Sequence, residues 1–197
     1  MAAADPSPSS APSALSDGLV DVRPWASGDA TALHDAARES IATVGRWLPW
    51  LNANYALADS EAWVADSARH WRQGTEFRFG VFEPGPGGRC LGAAGLNHLN
   101  ALHRLGNLGY WVRATCTGRG VASRAARLVA RFGLTSAGLG RVEILTACDN
   151  LASQRVAEKL GARFEGVLRD RLLHRGERIP ARLYALVRAD LPGLTRA

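Results

Sequence analysis

Chemistry is most legible between Gly109 and Ala126, where the chain reads Gly-Tyr-Trp-Val-Arg-Ala-Thr-Cys-Thr-Gly-Arg-Gly-Val-Ala-Ser-Arg-Ala-Ala. A strand runs out into a loop containing Gly118 and Gly120, which feeds directly into a helix rich in Ala, Arg and Leu. The first N–H groups of a helix have no internal partner and sit at the positive end of its dipole, so a strand, a glycine turn and a bare helix start together make an anion site. A phosphorylated ligand is the expected occupant. Further on, Asn150 and Ser153 stand three apart at the expected start of another helix and project from one face. By themselves they read equally as a plain N-cap and a solvated first-turn hydroxyl. The cysteines, Cys90, Cys116 and Cys148, lie far apart without a CxxC pair, so neither a disulfide framework nor a metal site is expected. Cys116 beside the helix start is the one thiol in a place that could activate it.

Several ligand classes fall away. No Gly-Lys-Ser/Thr follows the glycines, which argues against a triphosphate-hydrolysing loop. The dinucleotide fingerprint is incomplete, and several apparently antiparallel strands precede the loop instead of one parallel strand. The formal charge of +6 suits a polyanionic cofactor. Lys159 is the only lysine among 24 basic residues, and no run of five or six basic residues forms a nucleic-acid arm, so specific nucleic-acid binding is not expected. No stretch approaches the roughly 18 apolar residues of a membrane span. The Ala/Ser/Pro-rich start lacks the charged and apolar regions of a secretory signal, so a soluble cytoplasmic protein is expected.

The elements that must position these residues follow from periodicity. Residues 1–17 read as a flexible tail, 18–191 as a single domain and 192–197 as a second tail. A short strand at 19–24 leads to a helix from Gly28 to about Val44 capped by Ser27. A second helix, capped by Asp59 or Ser60, runs to about Gln73. Trp63 and Trp71 on it read as core. Trp47 and Trp50, on an irregular segment broken by Pro49, suit a ligand wall as well as a core. Three antiparallel strands come next, at 75–82, 90–102 and 107–113. The glycine loop, a helix over 119–136 and a returning strand at 142–147 then form a βαβ unit. A helix at 151–160 and strands within 164–173 and 181–187 complete the order.

Thr117-Gly118-Arg119-Gly120-Val121-Ala122 resembles the Gln/Arg-x-x-Gly-x-Gly/Ala acetyl-CoA motif of the GNAT N-acetyltransferases. Trp47-Leu48-Pro49-Trp50, Leu91 to Asn97 with Leu108 to Val112, and Asn150-Leu-Ala-Ser153 running into Glu158 to Gly166 narrow the likeness to the RimJ/RimL-like branch, which includes ribosomal-protein N-terminal acetyltransferases. The resemblance covers roughly residues 19–190. It implies a mixed α/β GNAT fold, a mostly antiparallel, partly parallel twisted sheet of about seven strands flanked by about four helices, with acetyl-CoA as cofactor. It places the pyrophosphate on Gly118, Arg119, Gly120, Val121, Ala122 and Ser123, with Arg124 adding charge, and the pantetheine arm along Tyr110, Trp111 and Val112 with Asn150. Ser153 is implied as a hydrogen-bond donor to the sulfur, with Tyr184 as a weaker acid candidate. His98 and Asn97, on the strand facing the expected cleft, are candidates to bind or deprotonate the acceptor through water, beside Trp47 and Trp50. Thr117 stands where the family carries Gln or Arg, so a side-chain contact to the pyrophosphate is missing there. The implied acceptor is a protein N-terminal amine. A small amine such as an amino acid, polyamine or aminoglycoside, and a non-catalytic acyl-CoA-binding module, are the alternatives; the protein is expected as a monomer or homodimer. Glu143 is a base candidate whose commoner fate is a salt bridge.

Overall fold

Runs with period two and runs with spacings of three and four become, in the computed structural model, eight strands and five helices among the described residues, which are residue 12 and residues 14–191. Residues 1–11, 13 and 192–197 of the two expected tails lie outside the described residues. The strands are β1 (Leu15–Ser16), β2 (Asp21–Pro24), β3 (Phe77–Phe82), β4 (Cys90–Asn100), β5 (Leu105–Val112), β6 (Arg141–Ala147), β7 (Arg163–His174) and β8 (Glu177–Val187). They form one sheet in the order β1-β2-β3-β4-β5-β6-β8-β7, antiparallel everywhere except between β5 and β6. The helices are α1 (Ala30–Glu39), α2 (Ile41–Val44), α3 (Leu57–Gln73), α4 (Val121–Thr135) and α5 (Leu151–Lys159). Because α4 carries the chain from β5 back to the start of β6, that pair has to be parallel.

Two differences from the sequence reading have local causes. The helix expected from Gly28 to Val44 is broken at Ser40, whose hydroxyl donates to the Ala36 carbonyl at 2.6 Å and competes with the helical ladder. Ser27 does not cap; residues 27–29 form a 3₁₀ turn in which the Asp29 carboxylate accepts the Ala26 N–H at 2.7 Å. Likewise Ala56 takes the N-cap place of α3, and Asp59 reaches back to the Ala56 N–H at 2.8 Å. The eighth strand is β1, which pairs with Asp21 and Val22.

The apolar stripe of α4, including Val121, Ala125, Val129 and Phe132, is buried on the sheet face that also carries Leu108 and Tyr110 of β5. Trp71 joins Phe77, Phe79 and Phe132 with ring centroids 4.9–5.7 Å apart, as expected of a core residue. Trp111 alternates to the opposite face and packs with α1 and α3. Trp63, expected in the core, is 42% exposed and carries the Arg78 guanidinium 3.9 Å over its ring. Among the described residues no helix is long and apolar enough to cross a membrane.

One ion-pair cluster ties α1 to the approach of the glycine loop. Glu39 accepts from the Thr115 hydroxyl and N–H and from the Arg113 guanidinium at 2.6 Å. The Thr115 hydroxyl first, then Arg113 and the Thr115 N–H, outweigh opposing burial and hold the Glu39 carboxyl at about 2, below its ordinary 4.5. A depressed carboxylate contributes stability that is complete above its unfolded value and is lost as pH falls through the folded one. We therefore expect thermal melts to show the protein weakening between pH 4.5 and about 2, with a shallower fall in Glu39→Gln. An identical slope in both would remove Glu39 from the account.

Candidate active site

The site begins where β5 and β6 part. Their parallel pairing lasts three residues, Leu105↔Arg141, Gly106↔Val142 and Asn107↔Glu143, and stops. Asn107 sits at the fork. Its side-chain oxygen accepts the Leu145 N–H at 3.3 Å, and its NH₂ group donates to the Asn97 side-chain oxygen at 2.9 Å. A carboxamide thus stands where backbone pairing would have continued. Beyond it, Leu108 to Val112 and Ile144 to Ala147 line a cleft of about 740 Å³. The gap passes through the sheet: Tyr110, Val121 and Ser153 line it from the α4 side, Trp50, Trp63 and Trp111 from the α1 and α3 side. The tip of the β7–β8 hairpin closes over it, with Leu172, Leu173, His174 and Ile179 in the wall and Arg175 donating to the Gly45 carbonyl at 3.4 Å.

At the α4 end, a 3₁₀ turn at Ala114–Cys116 leads into Gly118 (φ 76°) and Gly120 (φ 79°, ψ 1°). Both take the left-handed conformation that suits glycine. A Cβ at Gly118 would meet nothing within 4 Å, and one at Gly120 would meet only the Arg124 Nε at 4.0 Å, so the loop borders open space. Gly120 is the N-cap of α4 and no side chain caps the helix; the first turn holds no acidic residue. The N–H groups of Val121, Ala122 and Ser123 are therefore presented to the cleft that these residues line. The Thr117 hydroxyl turns away and donates to the Ala114 carbonyl at 2.9 Å. Arg119 is exposed and does not line the cleft, and Arg124, whose Nε borders the loop at Gly120, pairs with Asp17 at 2.7 Å. Arg155 and Lys159, one turn apart on α5, do line the cleft and supply the positive charge there. Their i, i+4 spacing was the available signal in the sequence.

At the start of α5, the Asn150 side-chain oxygen accepts the Ser153 N–H at 3.1 Å, which leaves its NH₂ group for the cleft. The Ser153 hydroxyl lies 3.1 Å from the Tyr110 hydroxyl, which also donates to the Ser153 carbonyl at 3.0 Å. Burial, with only partial opposition from Ser153, pushes the Tyr110 phenol up to about 12. Tyr110 therefore keeps its proton throughout the neutral range, committed to the Ser153 carbonyl, and the Ser153 hydroxyl is the donor left for the cleft.

Other expected residues lie elsewhere. Tyr184 is 1% exposed in the core, paired across strands with Ile144 and Phe164, and does not line the cleft. His98 sits at the irregularity between Asn97 and Asn100 in a left-handed conformation (φ 49°), exposed and off the cleft wall, because the bulge re-aims its side chain. Neither side chain is among those that line the cleft. Glu143 pairs with Arg141 at 2.9 Å. Asn97 and Trp47 both line the cleft, Asn97 through its hold on Asn107. Trp50 is 46% exposed and leans on Tyr55 and Trp111, with centroids 5.5 and 6.3 Å away.

Comparison with known proteins gives this geometry its relatives. The model of the acetyltransferase (GNAT) domain matches residues 20–163. YdaF of Bacillus subtilis, provisionally named a ribosomal N-acetyltransferase, is 26% identical over 167 residues, spanning 84% of this chain and 89% of its own. Among solved structures, RimL, the ribosomal L7/L12 alpha-N-protein acetyltransferase in complex with coenzyme A, superposes with a TM-score of 0.77 at 19% identity. It covers 88% of this chain and 96% of that one. The microcin C7 self-immunity acetyltransferase MccE, in complex with acetyl-CoA and AMP, has a TM-score of 0.79 at 18% identity over 88% and 94%.

Proposed function

The chain belongs to the GNAT acetyltransferases, and from that premise we propose that it transfers the acetyl group of acetyl-CoA directly to the α-amine of a protein N-terminus. The observation that carries the reading is the cleft through the sheet at the β5–β6 fork, with free helix amides at one end and an open aromatic wall at the other. Acetyl-CoA supplies the acetyl group already activated as a thioester. The N–H groups of Val121, Ala122 and Ser123 hold its pyrophosphate, with Gly118 and Gly120 leaving room and Arg155 and Lys159 neutralising further phosphate. Backbone groups of Leu108 to Val112, freed from β6 by the fork, face the arm and polarise the carbonyl. The Ser153 hydroxyl, supported by Tyr110, donates to the sulfur as it departs. The amine enters from the side of Trp50 and Trp111, whose half-open wall admits a chain end. The names of YdaF, a ribosomal N-acetyltransferase, and of the fold neighbour RimL, an alpha-N-protein acetyltransferase, support this acceptor over a small polycation.

Release of free thiol from acetyl-CoA, measured against N-terminal peptides and against amino acids, polyamines and aminoglycosides, tests this. Peptides should turn over fastest. Only a neutral amine attacks the thioester, so the neutral fraction of the acceptor should govern the rate, with kcat/KM rising to about pH 8 and levelling there, as an α-amine of pKa roughly 7.7–8.0 requires. A rise continuing towards about pH 10 would indicate an alkyl amine. Binding of coenzyme A with no turnover on any amine would leave only an acyl-CoA-binding module.

A further inference from the structure

A second pocket, of about 500 Å³, opens beside the cleft and shares Trp50, Trp63, Ala93 and Trp111 with it. Its other walls include Tyr55 and Asp59. Two features set the chemistry of its occupant. Trp50 is inclined by 55° to Tyr55 and by 66° to Trp111, so the rings that wall this aromatic box meet at steep angles. A flat aromatic guest would need near-parallel rings on either side, and these tilts do not provide them. The pocket is also electrically unlike its surroundings. In a chain of net charge +6, no Lys, Arg or His is among the residues that line it, and Asp59 is the only acidic residue among them. The Asp59 carboxylate accepts the Ala56 N–H through one oxygen, which leaves the other to a ligand. Arg78, over Trp63, is neutralised by Asp66 at 3.1 Å and Glu76 at 2.6 Å. Ring faces attract cations through their quadrupole, and a carboxylate at the rim adds to that.

We propose that this aromatic box is a specificity pocket for a cationic group on the acceptor, an ammonium or guanidinium carried beside the amine that is acetylated. It cannot hold the reacting amine itself. Attack on a thioester requires a neutral nitrogen, and a cation-binding box would favour the protonated form. The acceptor therefore carries two nitrogen centres, one neutral in the cleft and one charged in the box. On the N-terminal reading, on which this inference rests, the charged group is a Lys or Arg side chain close to the terminus.

The test uses short peptide amides with a common first residue and, in second place, lysine, trimethyl-lysine, norleucine or glutamate. Lysine and trimethyl-lysine peptides should show kcat/KM about 3- to 30-fold above norleucine, with glutamate poorest. Trp50→Leu, at a half-exposed position, and Asp59→Asn, which keeps a capping side chain, should each shrink the lysine-to-norleucine ratio. Norleucine equal to or better than lysine in the wild type would overturn the proposal, as would an unaltered ratio in both variants. If no peptide is acetylated, the N-terminal reading fails, and the box is then read directly. Choline should perturb tryptophan fluorescence at lower concentration than neohexyl alcohol, its neutral isostere. Equal or reversed potency would overturn the box as a cation site.

Discussion

Gly120→Val is expected to weaken coenzyme A binding by about 10²–10⁴-fold while the protein still folds. Gly120 holds φ 79° at the cap of α4, and a β-branched residue there costs on the order of 1–2 kcal/mol of folding stability. A domain with about 5–15 kcal/mol in hand survives that loss. The ligand fares worse. If valine forces the backbone to negative φ, the N–H groups of Val121 and Ala122 turn off their common target. Each hydrogen bond to a charged group is worth roughly 1.5–3 kcal/mol, so losing two accounts for the predicted range. The added side chain would also project into the space that a Cβ at Gly120 finds nearly empty. Titration calorimetry with coenzyme A, beside a thermal melt of the same variant, separates the two effects. A melt lowered by a few degrees with unchanged affinity would show that the loop is not the phosphate cradle.

Ser153→Ala should lower kcat by about 10–100-fold, the worth of one hydrogen bond to a developing thiolate, with a smaller change in the KM for acetyl-CoA. Tyr110→Phe removes the neighbouring hydroxyl at 3.1 Å and should cost less, because serine can still donate to sulfur. The double variant should be no slower than Ser153→Ala alone, since the two hydroxyls act as a unit. Because burial raises the Tyr110 phenol to about 12, it remains protonated below that pH, and loss of its proton adds no falling limb to the rate profile between about pH 6 and 9. Additive losses in the double variant would mean that tyrosine and serine serve separate steps.

How much of this was readable beforehand depends on distance along the chain. Gly118, Gly120 and the helix after them lie within a few residues of one another, and local backbone rules suffice to read them as an anion cradle. The apolar spacings of α4 and the alternation of β3 placed their core faces correctly for the same reason. Tyr110 and Ser153 are 43 residues apart in sequence, and no periodicity brings their hydroxyls together. Asn107 looked like an ordinary strand residue, although its carboxamide occupies the fork between β5 and β6. Tyr184 and His98 failed in opposite ways. Alternation shows that a side chain lies on one face or the other, but not that Tyr184 is sealed beneath Phe164 or that a bulge turns His98 outward.

Apart from the short β1 and the break at Ser40, the amino-acid sequence by itself determined the main elements, their order and the glycine turn, because each of these depends on steric and hydrogen-bonding preferences of near neighbours. The tertiary structure alone decided where the sheet opens, which hydroxyl stands beside Ser153 and that Trp50, Tyr55, Trp63 and Trp111 enclose one pocket. Those are consequences of packing between segments far apart in the chain. They depend on where strands part and on which faces meet, and neither is a property of any one segment.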